Sequence, residues 1–192
     1  MRLAFGAAVA CLGLCGVALA ASSHSVPSAF TRPAVATDRL PAVFAAISPN
    51  RGGPRDSRRI ATYIDGKQRR WSLFIFREAI RGQENICAFV IRGSAGGGGC
   101  DRSGAFFVPG RQVVASEGHV LAGVASDRVA RITVIGSRGV LHHVTLTPDH
   151  GFIYDCAAYN GCSCAVARLK AFDHTGKLIT DQSWVGSRCK RR

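Results

Sequence analysis

Acidic residues are scarce in this chain: 12 Asp and Glu stand against 25 Lys and Arg, a formal net charge of +13 over 192 residues. Long apolar runs are missing beyond the N-terminus. Nothing there approaches the roughly 18 residues that a membrane-crossing helix needs, so no transmembrane segment is expected in the mature chain. No segment after residue 50 keeps a 3.6-residue apolar period, and no internal repeat stands out. These absences exclude a membrane transporter, a coiled coil and a collagen, and the length excludes a multidomain enzyme. Apolar residues make up 47% and charged residues 19%. That is the composition of a folded domain rather than of a disordered chain.

What is present begins with a leader pattern. Met1 and Arg2 give a short positive region, residues 3–19 are apolar, and Ala18-Leu19-Ala20 supplies small-residue cleavage chemistry. Residues 1–21 are therefore expected to be a secretory signal peptide. Cys15 follows Leu14, which does not suit lipid attachment. Residues 22–37 hold Ser, Ala, Pro, Thr and Val with a single charge, Arg32, and are expected as a flexible, disordered linker. Residues 38–192 are expected as one β-rich domain ending in a basic tail, Lys190-Arg191-Arg192.

Two cysteines, Cys11 and Cys15, leave with the leader, and six remain: Cys87, Cys100, Cys156, Cys162, Cys164 and Cys189. An even number in an exported chain implies disulfides. Cys87 and Cys100 are close in sequence and apart from the rest, so they are expected to pair. Cys162 to Cys164 would close a very small ring, so Cys156 and Cys189 are each expected to reach one of them, with the pairing left open. A zinc site is the competitor, since His142, His143 and His150 lie near three of these cysteines. No C-x-x-C pair exists, however, and neighbouring His142 and His143 point to opposite faces of a strand. No metal or cofactor is expected.

Asp38 suits the start of a short helix over 39–47, with Pro41 in its first turn. Beyond it the text becomes β. Strands are expected at 71–76, 87–91, 105–108, 112–115, 119–122, 129–135, 140–147, 152–154, 165–172 and 177–180. Residues 78–85 read as polar turn, and 93–99 as a flexible glycine loop. Gly136-Ser-Arg-Gly139, Pro148-Asp-His-Gly151 and Asp173-His-Thr-Gly176 carry turn chemistry. Short strands with turns every 8–12 residues predict a mainly β fold, an Ig-like two-sheet sandwich with a short N-terminal helix.

The stretch Val124-Ala-Ser-Asp127-Arg-Val-Ala-Arg-Ile-Thr-Val-Ile135, then Asp149-His-Gly-Phe152, then Val166-Ala-Arg-Leu-Lys-Ala-Phe-Asp173-His-Thr-Gly176 forms a distinctive series. Upstream, Asp38-Arg-Leu-Pro41, Ser57-Arg-Arg-Ile-Ala61, Trp71, Cys87 and the glycines before Cys100 keep the same order. The series resembles a recurrent module of exported β-sandwich-like proteins in high-GC actinobacteria, over about residues 38–182. The resemblance implies a fold and a compartment but no activity. The added Cys156, Cys162, Cys164 and Cys189 depart from it.

Chemistry-bearing motifs are few. Cys100-Asp-Arg102 after glycines distantly resembles the nucleophile motif of L,D-transpeptidases, but no histidine lies between His24 and His119 to activate it. The tetraglycine 96–99 lacks the Lys-Ser/Thr of a phosphate loop, and no G-x-S-x-G elbow occurs. Arg51, Arg55, Arg58, Arg59, Arg69 and Arg70 cluster in the sequence and are the candidate polyanion-binding residues. Trp71 beside them is expected in the core. The sequence thus predicts an extracytoplasmic, disulfide-stabilised, non-enzymatic binding or structural module of the cell envelope, its partner an anionic polymer or a protein. The alternative is a small envelope enzyme with a Cys or His centre, transpeptidase-like or hydrolytic.

Overall fold

The computed structural model describes residues 28–45, 55–102, 112–117, 119–136, 139–156 and 166–183. Two single 3-10 turns, Ser28–Phe30 and Ala36–Asp38, precede a one-turn helix, α1 (Ala42–Ala45). Eleven strands follow among the described residues: β1 (Arg55–Ile64), β2 (Arg70–Ile80), β3 (Gln83–Arg92), β4 (Ala95–Arg102), β5 (Gln112–Glu117), β6 (Val120–Ala125), β7 (Arg131–Gly136), β8 (Leu141–Val144), β9 (Gly151–Asp155), β10 (Val166–Phe172) and β11 (Leu178–Ser183).

All pairings are antiparallel, and the fold is mainly β and sandwich-like. The strands divide among three sheets, ordered β1-β2-β3-β4, β5-β6-β9 and β11-β10-β7-β8. Side-chain alternation explains the layering. On β6, Val120, Ala122 and Val124 pack against Trp71, Leu73 and Ile75 of the first sheet. Leu121 and Ala125 point the other way, onto Ile132, Val134 and Leu169 of the third. The sheet of β5, β6 and β9 is therefore the middle layer. Val-Leu-Ala-Gly-Val-Ala is apolar throughout, and every residue of β6 is buried, as a strand covered on both faces requires.

The outer face of the first sheet carries Phe74 and Ile91, which Phe44 of α1 covers. Here the glycine run departs from its expected loop. Residues 96–99 lie within β4, paired with Ile91, Val90, Phe89 and Ala88 of β3. The reason is space: a Cβ on Gly98 would sit 2.2 Å from the Phe89 ring, and one on Gly96 would sit 2.7 Å from Phe44. Glycine lets the aromatic rings lie across the strand backbone. The expected turn over 78–85 also contracts. β2 and β3 continue to Ile80 and Gln83, and Arg81 and Gly82 alone reverse the chain with φ of 52° and 74°.

The helix begins at Ala42 rather than at residue 39, because Asp38 does not cap it. The Asp38 carboxylate instead accepts the Arg32 guanidinium in two bonds of 2.6 and 2.9 Å, together with the backbone N–H groups of Val35 and Arg59. Residues 28–37 are docked rather than linker-like. Ala29 is buried and Phe30 packs on the core. Arg32 also reaches Asp149 at 3.0 Å and the Arg59 carbonyl at 3.2 Å. Residues 1–27, which include the expected signal peptide, and the basic tail lie outside the described residues.

Three turns match their sequence chemistry. Asp173 closes the β10–β11 turn by accepting from the N–H groups of Thr175 and Lys177, with Gly176 at φ 82°. Gly139 takes φ 77° between β7 and β8, and His150 takes φ 56° before β9. The Cys87–Cys100 disulfide forms between directly opposed residues of β3 and β4. Cys156 is also disulfide-bonded, to a partner outside the described residues. Cys162, Cys164 and Cys189 lie outside them too.

Candidate functional site

A group of polar side chains gathers at one end of the first two layers, around His119. Asp65 follows β1 and organises the turn into β2. One carboxylate oxygen accepts the backbone N–H groups of Lys67 and Arg69 at 2.9 and 3.0 Å. The other accepts Arg69 Nε at 2.7 Å and the Trp71 indole N–H at 3.1 Å. Burial alone would push this carboxyl up, but the four donors outweigh it and hold Asp65 below the ordinary carboxylate range. The turn places Trp71 in the core, 1% exposed.

His119 enters from the start of β6 and meets Trp71 edge-on, ring centroids 5.3 Å apart. Its Nε2 lies 3.7 Å from Asp65 Oδ2 and 3.7 Å from Asp155 Oδ1, and faces Arg69 Nη2 at 3.4 Å. The Cys156 N–H donates to the His119 carbonyl and fixes the backbone. The Tyr63 hydroxyl donates to Asp155 Oδ2 at 3.1 Å, and the Arg92 guanidinium lies over the Trp71 ring at 5.0 Å. Lys67 lies in the turn and Arg70 at the start of β2, and both are exposed. An imidazole between two carboxylates can move a proton, and exposed cations at the neighbouring turn can hold an anion.

The candidate arginines do not form one patch. Arg58 pairs with Ile75 along β1, whereas Arg70 faces Ile64 at the far end of the β1–β2 hairpin. At about 3.4 Å per residue the two lie about 20 Å apart. Arg58 is 8% exposed, and its guanidinium donates to the carbonyls of Ser57 and Arg32. It lines an open cleft of about 430 Å³ with Val35, Asp38, Arg39, Asp56 and Ser57. Arg59 is half-buried beside that cleft's Asp38, which its N–H caps. Arg69 is ion-paired to Asp65. Only Arg70 of the six is described as exposed; for Arg55 the strand position alone is described, and Arg51 lies outside the described residues.

Other sequence candidates separate likewise. Cys100 is cross-linked to Cys87, so its sulfur is not a thiolate nucleophile in this state. His142 and His143 occupy successive positions on β8. His142 lies against Tyr154 at 5.8 Å, and His143 faces Thr133 at 3.4 Å. Sequence reasoning missed the His119 group because its members are spread from Tyr63 to Asp155. The only local signal was the Asp65-Gly66 turn ahead of Trp71. Comparison with protein-family models, curated proteins and solved structures finds no match to this chain. No described helix is long and apolar enough to cross a membrane.

Proposed function

We propose that the chain is an exported, disulfide-stabilised, non-enzymatic module of the cell envelope that binds an anionic polymer at the β1–β2 turn. One observation carries the reading: the buried carboxylates near the surface are engaged within the chain, and the cations are not balanced. Asp38 and Asp65 are held by Arg32 and Arg69. Lys67 and Arg70 remain exposed at the β1–β2 turn, within a chain of net charge +13. Clustered cations attract polyanions by releasing counterions. Export rests on the leader pattern of residues 1–21.

The test is retention on a heparin or polyphosphate matrix across a salt series. Binding is expected to weaken steeply with salt. The Lys67→Glu/Arg70→Glu double reversal is expected to lower affinity by about tenfold or more, and an Arg168→Glu/Lys177→Glu control is not. Equal losses in both would reject the turn as the site. Absence of binding at low salt would reject the module reading. The second reading, an envelope enzyme with a His centre, draws only on His119 between Asp65 and Asp155. It predicts a turnover lost in His119→Ala while polymer retention is unchanged.

A further inference from the structure

The open cleft beside the start of β1 holds a group that the polymer reading does not use. Arg58 lines this cleft. The residue is 8% exposed and stands directly opposite Ile75 of β2, a member of the first core cluster. Its guanidinium carries five N–H donors. One Nη donates to the Ser57 carbonyl at 2.9 Å and the other to the Arg32 carbonyl at 3.3 Å, while Nε is buried with no acceptor. Carbonyls occupy two donors but leave the charge itself unmatched, and a buried cation without a carboxylate is costly. Asp38 and Asp56 are the only acidic residues before Asp65 in the chain. The Asp38 oxygens are committed to Arg32 and to the N–H groups of Val35 and Arg59. The Asp56 side chain is 60% exposed, and the cation it meets is Arg77, at 4.0 Å. The strand is also irregular here: its register with β2 slips between Arg55 and Arg58, and Asp56 takes φ 53°. Bulges of this kind re-aim side chains beside binding sites. Arg39, which is exposed, lines the same cleft.

We propose that this cleft binds a small organic monoanion through its carboxylate, with Arg58 and Arg39 as the anion-binding residues. A carboxylate offers two oxygens to the planar guanidinium fork, and the pairing neutralises the buried charge that the chain leaves unmatched. A volume of about 430 Å³ lies within the range of small-molecule sites. Ala34, Val35 and Ala36 form an apolar wall, and Val35 is 55% exposed. The body of the ligand is therefore small and apolar. Asp38 and Asp56 line the same space. Their negative charges disfavour a dianion, so a single carboxylate is selected over a phosphate. Arg58 and Arg70 lie at opposite ends of the β1–β2 hairpin, so this proposal stands independently of the polymer reading.

The experiment titrates the isotope-labelled full chain with propionate and with N-acetylalanine at constant ionic strength and follows the backbone amides by NMR. The comparators are N-acetylalaninamide, which lacks the charge, and inorganic phosphate above neutral pH, where it is a dianion. Saturable shifts are expected at Val35, Arg39, Ser57 and Arg58 with both carboxylates and none with the amide, and phosphate is expected to bind more weakly than either carboxylate. Arg58→Gln is expected to lower carboxylate affinity by at least about tenfold, and Arg39→Gln, at an exposed position, by about threefold. Lys67→Glu/Arg70→Glu is expected to leave carboxylate affinity unchanged. Absence of saturable shifts with both carboxylates would overturn the proposal, as would equal affinity for N-acetylalanine and its amide, or for phosphate. Unchanged affinity in Arg58→Gln has the same meaning. If that variant does not give a folded spectrum, unchanged affinity in Arg39→Gln decides against the site.

Discussion

Asp65 and Asp38 show how single carboxylates hold distant segments in place. Both are buried, and both are kept ionised by donors from the chain itself. For Asp38 the Arg32 guanidinium is the largest cause, opposed by burial and aided by the Val35 and Arg59 N–H groups. Their folded pKa values lie below the unfolded one, so the stabilisation is complete above about pH 4 and is lost as pH falls beneath it. Urea midpoints are accordingly expected to be flat above pH 4 and to drop below it. The drop is expected to be shallower in Asp38→Asn, which titrates no longer. An unchanged acid profile in that variant would remove Asp38 from the account. Trp71 carries a larger load, because it fills the interface between the first and middle sheets while its indole N–H serves Asp65. Trp71→Ala is expected to cost about 3–5 kcal/mol in denaturant unfolding, and Trp71→Phe less.

At the scale of the element, β4 is the strand whose conformation depends most on what it lacks. Gly98 has no side chain because the Phe89 ring occupies that volume. Gly98→Ala is expected to destabilise by about 1–3 kcal/mol through overpacking. Phe89→Ala in the same chain is expected to relieve most of that increment, so a double-mutant cycle should give clear coupling; strict additivity would contradict the ring-on-glycine contact. Strand β4 is also tied at Cys100, and Cys87→Ser/Cys100→Ser is expected to cost about 3 kcal/mol, read as a lowered thermal midpoint. Legibility in the sequence follows the same physics. β7 and β10 were readable because apolar residues alternate with Arg, Thr and Lys against a covered face, whereas the strand expected over 140–147 shrinks to Leu141–Val144, whose Leu-His-His-Val carries no such alternation. β1, Arg-Asp-Ser-Arg-Arg-Ile-Ala-Thr-Tyr-Ile, was not, since its arginines hide the pattern and its pairing with β2 carries bulges. β4 read as a loop because glycine signals freedom when the partner ring is unknown.

For the whole molecule, three layers explain why the arginines and the His119 group were misjudged or unseen from the sequence. Residues 51–70 are contiguous, yet a hairpin sends Arg58 and Arg70 to opposite ends. Asp65, His119 and Asp155 are far apart in sequence, yet the β1–β2 turn, the start of β6 and the end of β9 meet at one end of the layers. The disulfide, by contrast, was legible because proximity in sequence and opposition in register coincide for Cys87 and Cys100. The fold class was legible because it depends on local alternation, while the site depends on closure of long loops.

The two-sided burial of β6 has a kinetic consequence. Its amides pair with β5 on one side and β9 on the other, and its faces are roofed by sheets that lie both earlier and later in the chain. No partial opening of either outer sheet exposes both its faces, so the strand has no cheap route to solvent. Amide exchange at Leu121, Ala122, Gly123 and Val124 is expected to proceed only through global unfolding, with protection equal to the whole stability of the protein, whereas β11 and β8 should exchange through smaller, local openings. Apart from the local β5–β6 hairpin, the same arrangement demands contacts of high sequence separation before the faces of β6 are covered, which makes slow, all-at-once folding the expected behaviour of this chain.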